Sequence, residues 1–98
     1  MGKSKPITIG IQHFDTKGAA RKAILAVRDR HTLLARIDGP DHELLLAVLS
    51  LHPDAAEKVG VGVKHFTVEK NIGGTHGFYI TRVDGTRDDF SIDKCLKD

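Results

Sequence analysis

The side chains best suited to chemistry in this 98-residue chain are its six histidines. They are His13, His31, His42, His52, His65 and His76. No two of them are three or four residues apart, the spacing that puts two metal ligands on one face of a helix. The sequence therefore predicts no metal site and no cofactor. A site assembled from distant residues, such as His52 with Asp54 or Asp89, stays open as an alternative.

The single cysteine, Cys95, excludes an internal disulfide and favours a reducing, cytoplasmic compartment. A nucleophilic cysteine needs a neighbour that lowers its pKa, and the only adjacent cation in the sequence is Lys94. Free cysteines are among the most buried residues of folded proteins. We therefore expect Cys95 to pack in the interior, and the sequence predicts no catalytic residue.

Four aspartates lie close together near the end of the chain: Asp84, Asp88, Asp89 and Asp93. Paired carboxylates can bind Mg²⁺ or act in acid–base catalysis. However, Asp88 and Asp89 are adjacent on a predicted strand and so point to opposite faces. Asp84 fits a turn, and Asp93 fits a helix cap. We expect Asp89 to form a structural ion pair instead. Its candidate partners are Arg82, Arg87 and Lys94.

Positive charge is concentrated at the start of the chain. Residues 1–36 carry a net charge of +6 and residues 37–98 carry −4, although the whole chain carries only +2. Four of the early cations fall on one side of a predicted helix: Lys17, Arg21, Lys22 and Arg28. Such a surface can contact phosphates without reading sequence, and a merely solvated helix face is the alternative interpretation.

The first elements are predicted to be a strand and a helix. Isoleucines alternate with other residues over positions 7–11, the pattern of a short strand. Thr16 is suited to cap a helix over residues 17–30. Small and apolar residues form a stripe that would face a sheet, with Ile24 at its margin. The stripe consists of Ala19, Ala20, Ala23, Ala26 and Val27.

A loop and a second helix are predicted next. Residues 31–38 are predicted as loop with some local structure. The leucine-rich segment from residue 41 or 42 to Leu51 predicts a largely buried helix. Pro53 keeps the residue before it out of helical geometry, so this helix must end by His52. Asp54 is suited to cap one further turn.

Three strands are predicted in the remainder, over residues 63–70, 77–83 and 87–92. The alternation of the first is imperfect near its start, which indicates either a bulge or a strand that begins later. Asp84-Gly85 favours a two-residue hairpin turn between the last two strands. One sheet face would consist of Phe66, Val68, Phe78, Ile80, Phe90 and Ile92. Tyr79 and Thr81 lie on the other face, where they could form a small stacking platform for bases.

The predicted fold class is α+β. Two helices pack on one face of a mainly antiparallel sheet, in the order β-α-α-β-β-β with a short C-terminal turn, because strands joined by short turns cannot be parallel. Hydrophobic residues make up 40% of the chain and charged residues 29%, which fits a globular domain. No apolar run reaches the roughly 18 residues of a membrane span. Residues 1–6 show no secretory signal and are expected to be flexible.

Four short motifs follow one another from residue 52 to residue 95. They are His52-Pro53, Lys58-Val59-Gly60-x-Gly62, Phe78-x-x-x-Arg82-x-Asp84-Gly85 and Asp89-Phe90-Ser91-x-x-Lys94-Cys95. In order and spacing they resemble the plant DCL ("defective chloroplasts and leaves") domain family, which includes small stand-alone bacterial relatives of unknown function. The resemblance is strongest over residues 51–95, and it indicates a single domain over residues 1–98.

The resemblance implies a role in RNA metabolism, since plant members are linked to ribosomal RNA processing and organelle development. This chain departs from them in two ways. Thr75-His76-Gly77 stands where plant members often carry Ser-Arg-Cys, and we expect no transit peptide and hence no organelle. Packing explains the polar motif residues least, so they are the candidates for a site. They are His52, Lys58, Arg82, Asp89, Ser91 and Lys94.

Three functional hypotheses follow. The first is a small non-enzymatic module that binds structured or ribosomal RNA through the basic helix face, with Lys58, Arg82 and Lys94 as further contacts. The second is a protein-interaction module that uses the acidic C-terminal part or the open sheet face. The third is a nuclease-type enzyme that uses His52, Asp89 or Cys95. No membrane partner is expected, and the oligomeric state stays undetermined.

Overall fold

The computed structural model describes residues 6–96 of the chain. In order, the elements are β1 (Ile7–Ile9), β2 (Gln12–Phe14), α1 (Lys17–Arg30), β3 (Arg36–Ile37), α2 (Pro40–Leu49), α3 (Ala55–Val59), β4 (Val63–Lys70), β5 (His76–Arg82), β6 (Arg87–Phe90) and α4 (Ile92–Cys95). Of residues 1–6, which are predicted to be flexible, residues 1–5 lie outside the described part of the chain. No helix within residues 6–96 is long and apolar enough to cross a membrane.

The central sheet is built from alternating apolar residues in the second half of the chain. It has four antiparallel strands in the order β3-β4-β5-β6. Phe66 lies opposite Ile80, and Phe78 lies opposite both Val68 and Phe90. All five side chains are buried. This arrangement confirms the α+β class and the predicted sheet face, except that Ile92 is buried from α4 rather than from β6.

Helix α1 packs on this face along a stripe that differs from the predicted one. The Thr16 hydroxyl accepts the N–H of Ala19 and caps the helix, as expected. The buried residues are Ala20, Ile24 and Val27, whereas the predicted stripe residues Ala19 and Ala26 are exposed. Burial stabilises in proportion to apolar area, so the helix is oriented by Ile24 and Val27 rather than by its alanines.

Helix α2 covers the rest of the face with Leu44, Leu45, Val48 and Leu49. It begins at Pro40, slightly earlier than predicted, because proline lacks an N–H and fits the first turn. It ends at Leu49, two residues before the predicted end. Helices α1, α2 and α4 share one continuous hydrophobic core with the sheet.

The start of the chain forms a hairpin instead of the single predicted strand. Strands β1 and β2 pair with each other in a separate two-stranded sheet, with Ile7 opposite Phe14. Gly10 has a φ of 61°, which a tight two-residue turn needs at its first central position. Ile11 therefore lies in the turn and is fully exposed. The regular spacing of the three isoleucines was misleading because the turn interrupts it.

Residues 31–38 contain a short edge strand that the sequence did not reveal. In β3, Ile37 lies opposite Phe66 and is completely buried. A strand of two residues is too short to show an alternating pattern. Its position is therefore determined by pairing with β4 and not by a local signal.

The β5–β6 hairpin has a three-residue loop rather than the predicted two-residue turn. The N–H of Arg82 donates to the carbonyl of Thr86 at 2.8 Å, and Gly85 takes a φ of 87°. A three-residue hairpin loop needs a glycine at this left-handed position. The Asp84 carboxylate accepts hydrogen bonds from the N–H and the hydroxyl of Thr86. The predicted irregularity in β4 is present between Val63 and His65.

Replacing Phe66 with alanine is expected to lower the free energy of unfolding by about 3–5 kcal/mol. Its ring is fully buried and lies 5.3 Å from the ring of His42 and 5.6 Å from that of Phe90. Urea denaturation followed by circular dichroism measures the change. Ile72→Ala is the matched control, because Ile72 is fully exposed, and its effect should stay within about 0.5 kcal/mol. Equal losses in the two variants would contradict the assignment of the core.

Candidate functional site

The predicted site residues separate into two groups in the structure. Lys58 and Arg82 meet at the junction of α3 with the β5–β6 hairpin. Arg21, Arg28, Asp89 and Ser91 line a cleft beside α1. The remaining candidates lie outside both groups; they are Lys17, Lys22, His52 and Lys94.

At the first group, one carboxylate bridges two cations. Asp88 Oδ1 lies 3.2 Å from Lys58 Nζ, and Asp88 Oδ2 lies 3.1 Å from Arg82 Nη2. We call these three residues the Arg82 cluster. The ion pair predicted for Asp89 is thus formed mainly by Asp88, which lies opposite the buried Ile80 and shares the helix-covered face of the sheet. The Asp89 side chain is 70% exposed.

Arg82 also caps the end of helix α3. Its Nε donates to the carbonyl of Lys58 at 2.9 Å, and its Nη2 donates to the carbonyl of Glu57 at 3.4 Å. The last carbonyls of a helix have no partner within the helix, so a cation placed there stabilises it. Glycine is favoured at residue 60, because its φ of 54° is strained for other residues and a Cβ atom there would lie only 3.1 Å from Arg82 Cδ and Nε. Arg82, at the end of β5, therefore joins helix α3 to strand β6.

The charges of the Arg82 cluster are largely satisfied inside the protein. The side chains of Lys58 and Arg82 are only 18% and 13% exposed. Burial of the Asp88 carboxyl acts to raise its pKa. Its hydrogen bond to Lys58, the charge of that ammonium, the N–H of Asp89 and the contact with Arg82 outweigh the effect and hold the pKa below its ordinary value. Asp88 is thus an ion in the folded protein.

His52 and Cys95 also have structural environments. His52 is buried, and its Nδ1 accepts the backbone N–H of Asp54 at 2.9 Å, which stabilises the turn before α3. Cys95 lies in the core, as expected. Burial raises the pKa of its thiol to about 11, against a smaller lowering by Lys58, so the reactive thiolate is scarce at neutral pH. Within residues 6–96, no three His, Cys, Asp or Glu side chains are grouped as metal ligands.

The second group lines a cleft of about 250 Å³ between α1 and the ends of β5 and β6. Its apolar floor consists of Leu25, Phe78 and Phe90. Its polar lining comes mainly from Arg21, Arg28, Asn71, Asp89, Ser91 and Asp93. A larger groove between the β1–β2 hairpin and α2 is mostly apolar and contains none of the predicted site residues.

The cations of α1 are positioned by the helical repeat. Lys17, Arg21 and Arg28 are separated by one and then two turns, so they form a row on one side of the helix. Lys22 lies about 100° further around the helix and is exposed. The four predicted residues thus form a row with one outlier. Arg21 and Arg28 of this row line the cleft, and the row lies beside the buried stripe rather than opposite it.

Two ion pairs hold the arginines at the cleft. Arg21 Nε lies 2.7 Å from Asp93 Oδ1, with side chains 51% and 64% exposed. Arg28 Nε lies 3.1 Å from Asp29 Oδ1, and its Nη1 donates to the carbonyl of His76 at 3.5 Å. Asp93 was expected to cap a helix, but Ser91 occupies the N-cap position of α4. No local pattern predicts a contact between Arg21 and Asp93, which are 72 residues apart.

The outer sheet face carries the predicted platform residues in a polar network. The Tyr79 hydroxyl donates to Asn71 Oδ1 at 2.7 Å, and the guanidinium of Arg87 lies 6.0 Å from the centre of the tyrosine ring. Arg87 also pairs with Glu69. This network links the outer face to the cleft through Asn71, a residue that the sequence did not identify as functional. Lys94 is exposed on α4.

Comparison with known proteins identifies one family and several relatives. The family described as "Protein of unknown function (DUF3223)" matches residues 22–96. A stretch of 57 residues is 46% identical to DNA-directed RNA polymerase IV subunit 1 of Arabidopsis thaliana. A stretch of 62 residues is 37% identical to Protein DCL, chloroplastic, of Solanum lycopersicum, which confirms the predicted resemblance. These stretches cover 57% and 59% of this chain but only 4% and 28% of the two relatives.

A solved structure shares both the fold and part of the sequence. The solution NMR structure of an uncharacterized protein from Rhodospirillum rubrum superposes with a TM-score of 0.87 at 35% identity. The match covers 97% of this chain and 91% of that chain. The similarity thus extends over nearly the whole length of both proteins.

Arg82→Lys is expected to lower the free energy of unfolding by about 1–3 kcal/mol, although it keeps the charge. A single ammonium group cannot bond the carbonyls of α3 and Asp88 in the geometry of the guanidinium. Arg36→Lys provides the matched control, since Arg36 is exposed on β3, and should change stability by less than about 0.5 kcal/mol. Guanidinium chloride titrations of both variants compare the two values. Unchanged stability in Arg82→Lys would show that the Arg82 cluster is dispensable.

The lowered pKa of Asp88 makes stability depend on pH at the acidic end. A carboxyl whose folded-state pKa is depressed contributes stability above its unfolded value, about 3.9, and loses it as the pH falls through the folded-state value. Asp88→Asn should therefore be less stable than the unmodified protein near pH 7 and lose less stability on acidification below about pH 4. Thermal unfolding across this range, with the exposed Asp38→Asn as control, measures the difference. Parallel pH profiles for all three proteins would contradict it.

Proposed function

This chain belongs to the DUF3223 family of proteins of unknown function, and we propose that it is a small, non-enzymatic RNA-binding module. It supports RNA metabolism, and ribosomal RNA processing is the process suggested by the resemblance to the DCL domain. Phosphates bind along the row of Lys17, Arg21 and Arg28, with Lys22 and Lys94 as exposed neighbouring cations. The proposal includes the cytoplasmic location that the sequence predicts.

The observation that carries the proposal is the row of cations beside a polar cleft. Arg21 keeps two guanidinium nitrogens without a hydrogen bond to any residue between 6 and 96. An arginine with free N–H groups can form paired hydrogen bonds with a phosphate. The Arg21–Asp93 pair is solvent-exposed, and such pairs contribute only about 0–1 kcal/mol, so exchanging Asp93 for a phosphate costs little.

Relatives and candidate catalytic groups both bear on the choice of function. One relative is named as an RNA polymerase subunit, which supports a setting in which RNA is present. The groups considered for catalysis are occupied otherwise, because the Cys95 thiol is buried and His52 Nδ1 is bonded within its own turn. These contacts favour a binding role over the nuclease alternative.

Removing three charges from α1 tests RNA binding directly. The combined variant Arg21→Gln, Lys22→Gln and Arg28→Gln is expected to weaken salt-sensitive binding to single-stranded RNA. Each lost phosphate contact makes the negative slope of log K against log salt less steep by about 0.7. Fluorescence anisotropy over a range of salt concentrations measures affinity and slope together. An amide NMR spectrum checks that the variant is folded.

The matched control removes three exposed cations elsewhere, with Arg36→Gln, Lys64→Gln and Lys70→Gln. This control variant loses as many positive charges as the α1 variant, and it should retain most of the salt dependence of RNA binding. Equal slopes in the unmodified protein and the α1 variant would refute the proposal. Nuclease-resistant retention of one protein partner, with no RNA retained, would favour the protein-interaction alternative instead.

A further inference from the structure

On the basis of the proposed RNA binding, we infer that the cleft beside α1 holds one unstacked nucleotide of single-stranded RNA. Its phosphate lies against Arg21 and Arg28, and its base lies over the floor formed by Leu25, Phe78 and Phe90. The cleft therefore selects single-stranded over duplex RNA and discriminates among bases.

The size of the cleft sets the size of the ligand. Its volume of about 250 Å³ lies just below the roughly 300–1,000 Å³ of sites that enclose drug-sized ligands. It has room for one base and not for a longer segment. The bases of a duplex are stacked and paired, and only an unpaired base can turn into a pocket of this kind.

The mixed lining matches the two chemical parts of a nucleotide. Arginine guanidinium groups both bind phosphates and stack on bases. Phe78 and Phe90 are only 3% and 5% exposed, so they form a floor and do not offer free ring faces. Stacking at the mouth therefore comes from the arginine planes, whereas Leu25, which is half-buried, contributes aliphatic contact.

Hydrogen bonding to the base comes from Ser91 and from Asp89, which lies opposite Tyr79 on the outer face of the sheet, where the cleft opens. The Asp89 carboxylate is 70% exposed, and its nearest cation is Lys58 Nζ at 3.6 Å. The Ser91 hydroxyl makes no hydrogen bond to any residue between 6 and 96, even though Ser91 is the N-cap residue of α4. A carboxylate accepts from the amino groups of adenine, cytosine and guanine. Uracil has no amino group, and its N3–H lies between two carbonyl oxygens that repel a carboxylate, so uridine should bind most weakly.

The test compares three RNA probes by fluorescence anisotropy. The probes are an adenylate oligomer, a uridylate oligomer of the same length and an RNA duplex. The unmodified protein should bind the adenylate oligomer about fivefold or more tightly than the uridylate oligomer. This factor is the lower end of the discrimination that one base contact provides. Asp89→Ala should abolish this preference. It should leave duplex binding unchanged or stronger, because a negative charge near the phosphates has been removed.

Two further variants keep the result interpretable. Asp38→Ala removes an exposed aspartate that does not line the cleft, and it should leave the base preference intact. Ser91→Trp places a large ring at the cleft and should weaken both oligomers while sparing the duplex. Amide NMR spectra of all variants check the fold.

The outcomes separate this inference from the proposed function. If the oligomers bind equally and Asp89→Ala leaves their ratio unchanged, the cleft inference is overturned while RNA binding stands. If none of the three probes binds, RNA binding itself fails and the inference fails with it. Loss of the base preference in Asp89→Ala but not in Asp38→Ala supports the inference.

Discussion

The C-terminal half of the molecule depends on the contacts of the Arg82 guanidinium. From the end of β5 it reaches the last carbonyls of α3 and the carboxylate of Asp88 on β6. These groups are partly buried, so removing one partner would leave charges and carbonyls unsatisfied. Such a loss would lower the free energy of unfolding considerably. The same side chain leaves little room for a Cβ atom at residue 60, where glycine also takes a positive φ. One side chain thus holds helix α3 against the β5–β6 hairpin.

The position of the cleft follows from that junction. Once β6 is fixed, the chain leaves it at Phe90, and Asp89 and Ser91 are placed at its end. Helix α1 approaches from the other side, oriented by the burial of Ile24 and Val27. The Arg21–Asp93 contact closes the gap between these two parts of the chain. The candidate site is therefore a consequence of how the core packs and has no local motif of its own.

Some charged residues of the protein form internal ion pairs, whereas others stay accessible at the surface. The nearly neutral total of +2 hides the fact that Lys58 and Arg82 both pair with Asp88 inside the protein. The α1 cations remain accessible, since Arg21 is half-exposed and Lys22 is exposed. Polar residues of the family motifs are divided in the same way, since some hold the fold together and others line the cleft. Residue type alone does not distinguish these two roles, because both require charge.

Elements with local signals could be predicted from the amino-acid sequence. Alternation predicted β4 and β5, the Thr16 cap marked the start of α1, and the glycine at residue 85 marked a hairpin. Packing, and no local pattern, places Asp88 on the strand face that meets α3, where it binds the buried cations. Packing also pairs β3 with β4 and brings Arg21 to Asp93, since both contacts join segments far apart in the chain. Local propensity carries no information about such contacts, and the candidate site is made of them.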